Sequence, residues 1–190
     1  MESNDELVDY LVKKDHIKTD KVEKAFREVN RADFIDKNPY IDRPVALVED
    51  STISAPHIVA EMLELIEPEG RVLEMGSGSG YVLALLTQLC DDVVGVERIE
   101  ELVNESRERG PEAEIIFGYQ VPDQQFDKIL YSFAAPEEEV REAMDKTGAE
   151  IVVAPVQEEG RQVLKKYSSD GETSEGYVRF VTRKEGVRSE

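Results

Sequence analysis

Residues 72–81 read Val-Leu-Glu-Met-Gly-Ser-Gly-Ser-Gly-Tyr, and this decapeptide constrains the fold more than any other stretch. Val72 to Met75 is a short apolar run with one acid, as expected for the end of a buried parallel strand. Glycines follow at alternate positions, Gly76, Gly78 and Gly80, and an apolar helical stretch runs from Tyr81 to Leu89. Glycines permit positive φ and a close backbone approach, and the N-terminus of the next helix presents unpaired N–H groups. A strand, a glycine turn and a helix in this order make a nucleotide-cofactor site in a parallel sheet.

The downstream pattern agrees. Strands are expected at 71–75, 92–96, 113–117, 127–132 and 150–154, with helices near 80–89, 98–109 and 136–146. Such βαβ repetition predicts an α/β fold with a doubly wound, mostly parallel sheet and ligands at the strand carboxyl ends. Segments 163–167 and 177–182, joined by the turn-rich stretch 168–172, predict a C-terminal antiparallel hairpin. Upstream lie three expected helices. Residues 5–14 place Leu7, Tyr10 and Leu11 on one face, and Thr19 caps a second helix with Val22, Ala25, Phe26 and Val29 inward. Ser54-Ala55-Pro56 opens a third, with Ser54 as N-cap and proline in the first turn. Residues 30–50 read as loop. The chain is expected to form one domain over 1–190, with a helical substrate-side region at 1–68 and the sheet core at 69–190.

Composition narrows the function classes. No apolar run approaches the ~20 residues that cross a bilayer, and the acidic N-terminus lacks the basic and apolar regions of a signal peptide. A soluble cytoplasmic monomer with no membrane partner is expected. The single cysteine, Cys90, excludes an internal disulfide and reads as a structural thiol, and His16 and His57 lie far apart in sequence with no ligand spacing, so no metal site is expected. The net charge of −19 argues against unaided nucleic-acid binding, which needs a basic surface. Uniform acidity also suits a halophilic, high-salt cytoplasm, where ions screen self-repulsion.

The glycine spacing selects the cofactor. A dinucleotide fingerprint, G-x-G-x-x-G, needs glycine at 81, where this chain has Tyr81. Glu74, just before the turn, would repel a pyrophosphate and suits a cationic ligand. S-adenosylmethionine carries a sulfonium and an ammonium, and its carboxylate can use the loop amides of Gly76, Ser77, Gly78, Ser79 and Gly80. The pattern E-x-G-x-G-x-G resembles the first motif of Rossmann-like S-adenosylmethionine-dependent methyltransferases. Glu97 ends the next strand 21 residues after Gly76. An acid about 20 residues beyond a glycine turn is placed to hold ribose hydroxyls, although an acid there also suits a helix N-terminus.

Asp42-Arg43-Pro44, Thr52-Ile53-Ser54-Ala55-Pro56-His57, the glycine loop and Glu97-Arg98-Ile99 follow one another along the chain. Together they resemble the protein-L-isoaspartate O-methyltransferase family. Tyr131-Ser132-Phe133-Ala134-Ala135-Pro136 and Tyr177-Val178-Arg179-Phe180-Val181 extend the resemblance over nearly the whole chain. It implies methylation of the α-carboxylate of isoaspartyl residues in damaged proteins or peptides, as a step of protein repair. A carboxylate is already ionised near neutral pH, so the chemistry rests on alignment rather than on a strong base. The resemblance makes Ser54 the active-site hydroxyl that bonds the acceptor carboxylate. It places Thr52, Ile53, Pro56 and His57 in the peptide groove, and Glu74, Glu97, Arg98 and Gly118 beside the cofactor.

The chain departs from the family pattern in the segment Val121 to Phe126, which is shorter than expected, and in two other places. Asp50-Ser51 stands where the family has Gly-Gln, and Tyr119 follows Gly118 where it has an adenine-binding aspartate. Tyr119 can stack on adenine and Gln120 can offer an amide, or the change can weaken binding. Two other readings therefore stay open: a divergent methyltransferase acting on another acceptor, and a non-catalytic paralogue that serves as a binding partner.

Overall fold

The structure, a computed structural model, describes residues 1–109 and 112–189. Helices α1 (Asn4–Lys13) and α2 (Asp20–Glu28) precede a short hairpin of β1 (Val45–Ala46) and β2 (Thr52–Ile53). Helix α3 (Pro56–Ile66) leads into an alternating run of β3 (Arg71–Met75), α4 (Tyr81–Thr87), β4 (Asp92–Glu97), α5 (Glu100–Arg109), β5 (Glu114–Phe117) and β6 (Lys128–Tyr131). The chain then forms α6 (Glu137–Thr147), β7 (Ile151–Glu158), β8 (Arg161–Ser168) and β9 (Gly171–Val178).

Seven strands form one sheet in the order β5-β4-β3-β6-β7-β8-β9. The first five are parallel, and β8 and β9 are added by antiparallel pairing, β8 on β7 and β9 on β8. The expected α/β, doubly wound, mostly parallel sheet is present. Because side chains alternate across a strand, the sheet divides the core. Val72, Leu130 and Val153 pack with α1 to α4 on one face, while Leu73, Met75, Ile129 and Val152 pack with Val140 and Ala143 of α6 on the other. Strand order reverses at β3, which lies between β4 and β6. That reversal opens a crevice at the strand carboxyl ends.

The expected C-terminal antiparallel hairpin is present, with its second strand moved toward the turn. Its second strand was expected at 177–182, but β9 runs from Gly171 to Val178 and pairs with β8 through a two-residue turn. β9 is an edge strand whose residues 171–177 are exposed, so Gly-Glu-Thr-Ser-Glu-Gly carries no apolar alternation to mark it. The apolar Phe180-Val181 segment instead leaves the sheet. Residues 179–189 turn back over the strand ends, where Ala134 N donates to Val181 O at 2.8 Å and Arg188 N donates to Arg98 O at 2.7 Å.

A second correction concerns Ser54. The N-cap of α3 is Ala55, with φ −59° and ψ 136°, and Pro56 is the first helical residue. Proline disfavours helical geometry in the residue before it, which pushes the cap from Ser54 to Ala55. Thr19 is the N-cap of α2, but its hydroxyl bonds Glu64 at 3.1 Å rather than its own helix. No helix among the described residues is long and apolar enough to cross a membrane.

Candidate active site

An open cavity lies over the carboxyl ends of β3, β4 and β6. Its floor is the glycine loop. Gly76 N and Ser77 N donate to Val96 O at 2.8 and 3.2 Å, tying the loop to the end of β4. Gly76 has φ +82°, and a Cβ there would sit 2.7 Å from the Phe133 ring. Gly78 has φ +52°, but a Cβ there would meet only Leu47 Cδ1, at 3.7 Å. Positive φ strains any residue with a side chain, and at Gly76 the missing side chain also leaves room for Phe133.

Glu97 is nearly buried and lines the cavity. Its Oε2 accepts from Gly78 N at 2.9 Å, and its Oε1 accepts from Arg98 N at 2.8 Å and Ile99 N at 2.9 Å. Burial raises the carboxyl above its ordinary range, and the three amides oppose that shift. Both lone pairs of Oε1 are taken by these amides, and Oε2 keeps its second one for a ligand hydroxyl. Gly118 N donates to Glu97 O at 2.9 Å, which brings the Gly118-Tyr119 turn to the cavity wall. Gln120 is exposed and does not line it.

Glu74 lies behind this lining, with 1% of its surface exposed. Ser132 Oγ donates to its Oε1 at 2.6 Å, while Oε2 has no partner. Desolvation pushes its pKa up to about 8, with the negative charge of Glu97 adding to the rise and the Ser132 bond opposing it. Ser77 Oγ, also buried, has no partner either. An orphaned acid and hydroxyl under a glycine floor fit a ligand with one cationic and one hydrogen-bonding end.

Of the expected cofactor residues, the structure brings Gly76, Gly78, Glu97, Arg98, Gly118 and Tyr119 to the cavity surface. Glu74, Ser77, Ser79 and Gly80 support it from beneath. Of the expected substrate residues, Thr52 reaches the wall. Ile53 and Pro56 are buried, Ser54 and His57 are half-buried, and none of the four lines the cavity. His57 sits in the first turn of α3, where its Nδ1 lies 2.8 Å from Asp42 Oδ1. The histidines, far apart in sequence, meet here with ring centroids 5.2 Å apart, and His16 Nδ1 lies 2.7 Å from Glu61. Among the described residues no cluster fits a metal ion. Cys90 is half-buried, and burial pushes its thiol up to about 12.

The rim was not foreseen. Val181 to Lys184 of the returning tail form one side of the cavity and Glu49 to Thr52 another. Lys184 Nζ is 2.5 Å from Asp50 and Arg188 Nε is 2.8 Å from Glu49. The signal available in the sequence was charge complementarity between Glu49-Asp50 and the basic Arg183-Lys184 and Arg188.

The family described as protein-L-isoaspartate(D-aspartate) O-methyltransferase matches residues 2–187. The chain belongs to this family. A protein-L-isoaspartate O-methyltransferase from Pyrobaculum islandicum is 34% identical, with 92% of this chain and 96% of that protein aligned. One from Triticum aestivum is 32% identical, over 95% of this chain and 91% of its own length. A crystal structure of the Plasmodium falciparum β-aspartate methyltransferase in complex with S-adenosyl-L-homocysteine superposes with a TM-score of 0.85 at 27% identity, covering 97% of this chain and 99% of that one. The resemblance carried by T-I-S-A-P-H and the glycine loop is therefore a family relationship over the whole chain.

Proposed function

We propose that this chain transfers the methyl group of S-adenosylmethionine to the α-carboxylate of L-isoaspartyl residues in damaged proteins and peptides. The observation that carries the reading is the cavity itself. It joins the glycine loop, Glu97 and the Gly118-Tyr119 turn to Thr52 of the T-I-S-A-P-H segment in one wall. Family membership over residues 2–187 supports the same chemistry.

The bound cofactor supplies an electrophilic methyl group on sulfur. The amides of Gly76, Ser77, Gly78 and Gly80 are bonded within the protein, so in this reading the glycine loop serves by letting the cofactor approach its backbone closely, and Glu74 favours the cationic end from beneath. Glu97 accepts the ribose hydroxyls, with Arg98 beside it and Tyr119 covering the adenine. Ser54 bonds the acceptor carboxylate, and Thr52, Ile53, Pro56 and His57 shape the peptide groove. No residue has to remove a proton, because the acceptor is already an anion. The chain acts by holding the acceptor oxygen in line with the methyl carbon and sulfur.

The same reading gives one domain over 1–190, with 1–68 on the substrate side and 69–190 as the core. It also gives a monomer in a salt-rich cytoplasm that needs no metal, nucleic acid or membrane. The test is calorimetry with S-adenosylmethionine at low and high salt, followed by methyl-ester formation on an isoaspartyl peptide and on its aspartyl isomer. Binding with transfer to the isoaspartyl peptide alone is expected. Binding without transfer would point to another acceptor, and no binding in either salt would overturn the enzymatic reading.

A further inference from the structure

Arg31 is the largest fully buried side chain, with 0% of its surface exposed. Among the described residues it forms no ion pair, and the carboxylate whose charge it feels is Asp42. Its Nη2 donates to the carbonyl of Ser54 at 2.9 Å. The guanidinium carbon stands 5.0 Å over the ring of Tyr81, the residue that follows Gly80 and opens α4. Its Nε and Nη1 have no partner. Burial holds its pKa below the ordinary value.

A buried charge without a counter-ion is costly, and an apolar side chain of similar volume would fill the same space more cheaply. One hydrogen bond to a carbonyl does not account for a guanidinium in this place. The position accounts for it better. One end of Arg31 fixes the backbone of the residue that carries the proposed acceptor hydroxyl. Its guanidinium carbon stands over the ring of Tyr81, the first residue beyond the glycine loop. It therefore ties the acceptor half of the site to the cofactor half. Its charge, weakly screened inside the protein, also makes the Ser54 side favourable for an anion.

We propose that Arg31 is a positioning residue for methyl transfer, clamping Ser54 against the Tyr81 end of the glycine loop and favouring a carboxylate on the acceptor side. This rests on the isoaspartyl reading above. It is not a catalytic residue, because it acts through Ser54 and lies outside the cavity wall.

The experiment compares wild type with Arg31→Met, Arg31→Lys, Ser54→Ala and the Arg31→Met/Ser54→Ala double variant. It reads kcat and KM for an isoaspartyl peptide, cofactor affinity and thermal midpoint. In Arg31→Met, kcat/KM for the peptide is expected to fall about 30-fold, because small misplacements of reacting groups cost about that much or more. Cofactor affinity should stay within about threefold, since the glycine floor is untouched. Arg31→Lys keeps the charge and should recover most of the loss. The double variant should lose no more than Ser54→Ala alone, because the two residues act as one unit.

Additive losses, or a cofactor affinity that falls as far as peptide turnover, would reduce Arg31 to a structural residue and overturn the proposal. If Arg31→Met does not fold, Arg31→Gln, which loses the charge, decides: full activity on the peptide with a lowered thermal midpoint overturns it, and a raised peptide KM with unchanged cofactor affinity supports it. A wild type that methylates no isoaspartyl peptide would sink the functional reading and this proposal together. An active wild type with an equally active Arg31→Met would sink this proposal alone.

Discussion

At the floor of the cavity, Glu97 accepts three backbone N–H groups and the glycine loop is tied to β4 by its own amides. At the rim, Lys184 meets Asp50 and Arg188 meets Glu49 with these side chains largely in solvent. The floor is set by sterics and by hydrogen bonds buried in the sheet, which salt does not screen. The rim is set by exposed charge pairs, which salt screens within about 10 Å at 0.1 M. One cavity is thus bounded by a part held by buried hydrogen bonds and a part held by exposed charge pairs.

The largest effect that can test this division is Gly76→Val. The residue is held at φ +82°, and its new side chain would run into the Phe133 ring. A β-branched residue there is strained twice, and cofactor affinity should fall at least about 100-fold by calorimetry. Gly78→Ala should cost much less, since the space beside it is open to 3.7 Å and only the positive φ is strained. Equal losses at both positions would mean that the backbone conformation alone, and not the fit against Phe133, makes the floor.

The floor was legible in the sequence because it is built from local constraints. Alternate glycines after an apolar strand leave few conformations, and the acid 21 residues on falls at the end of the neighbouring strand. The rim was hidden because it is made by long-range contact. Nothing near Lys184 in sequence says that it meets Asp50, 134 residues away. The edge strand β9 was missed for a related reason. It buries almost nothing, so its sequence carries no periodic trace, while the apolar Phe180-Val181 resembled a strand and serves as the return over the site. His16 and His57 likewise meet through the packing of α1 on α3, which spacing alone does not reveal.

The second effect concerns the proton on Glu74. With its pKa pushed up to about 8 by burial, the acid stays largely protonated at pH 7 without ligand. Above its ordinary value of 4.5 the unfolded chain ionises while the folded one does not, so the unliganded protein should lose stability as pH rises from 4.5 to about 8 and level off above. A cation bound over the floor favours the ionised form and releases that proton. Calorimetry of S-adenosylmethionine binding at pH 7, in buffers of different ionisation enthalpy, should show release of up to about one proton. Glu74→Gln should release none and should lose the stability slope. A wild type that binds without releasing a proton would separate Glu74 from the ligand.

The rim should respond more weakly, and to salt. Lys184→Ala removes the Asp50 pair, whose side chains are 47% and 80% exposed. Exposed pairs contribute little to stability, so the thermal midpoint should hardly move. Cofactor release by stopped flow should quicken about two- to threefold at low salt, and the difference should vanish by about 1 M salt as the pair is screened. A change of the same size at every salt concentration would show that the Lys184 side chain holds the wall by packing.

A last effect lies on the acceptor side, where pH rather than salt is the control. Asp42 bonds both the backbone N–H and the ring of His57, with Glu61, His16 and Arg31 as the other charged or titratable groups nearby. The Asp42 bond raises the His57 pKa above 6.5 against the opposing effect of burial. Burial would raise Asp42, and its bonds to His57 outweigh that and hold it below 3.8. A raised histidine stabilises the fold fully below 6.5 and loses that contribution as pH climbs through its folded value. A lowered aspartate stabilises above 3.8 and loses its contribution as pH falls through its own folded value. The two windows overlap between 3.8 and 6.5, so Asp42→Asn should cost most near pH 5.5, about 1 kcal/mol for a half-buried pair. The cost should shrink at alkaline pH, once His57 has lost its proton above its raised folded value. Denaturant melts at the two pH values decide the matter, because an equal loss at both would make Asp42 a neutral hydrogen-bond acceptor for the start of α3 rather than half of an ion pair.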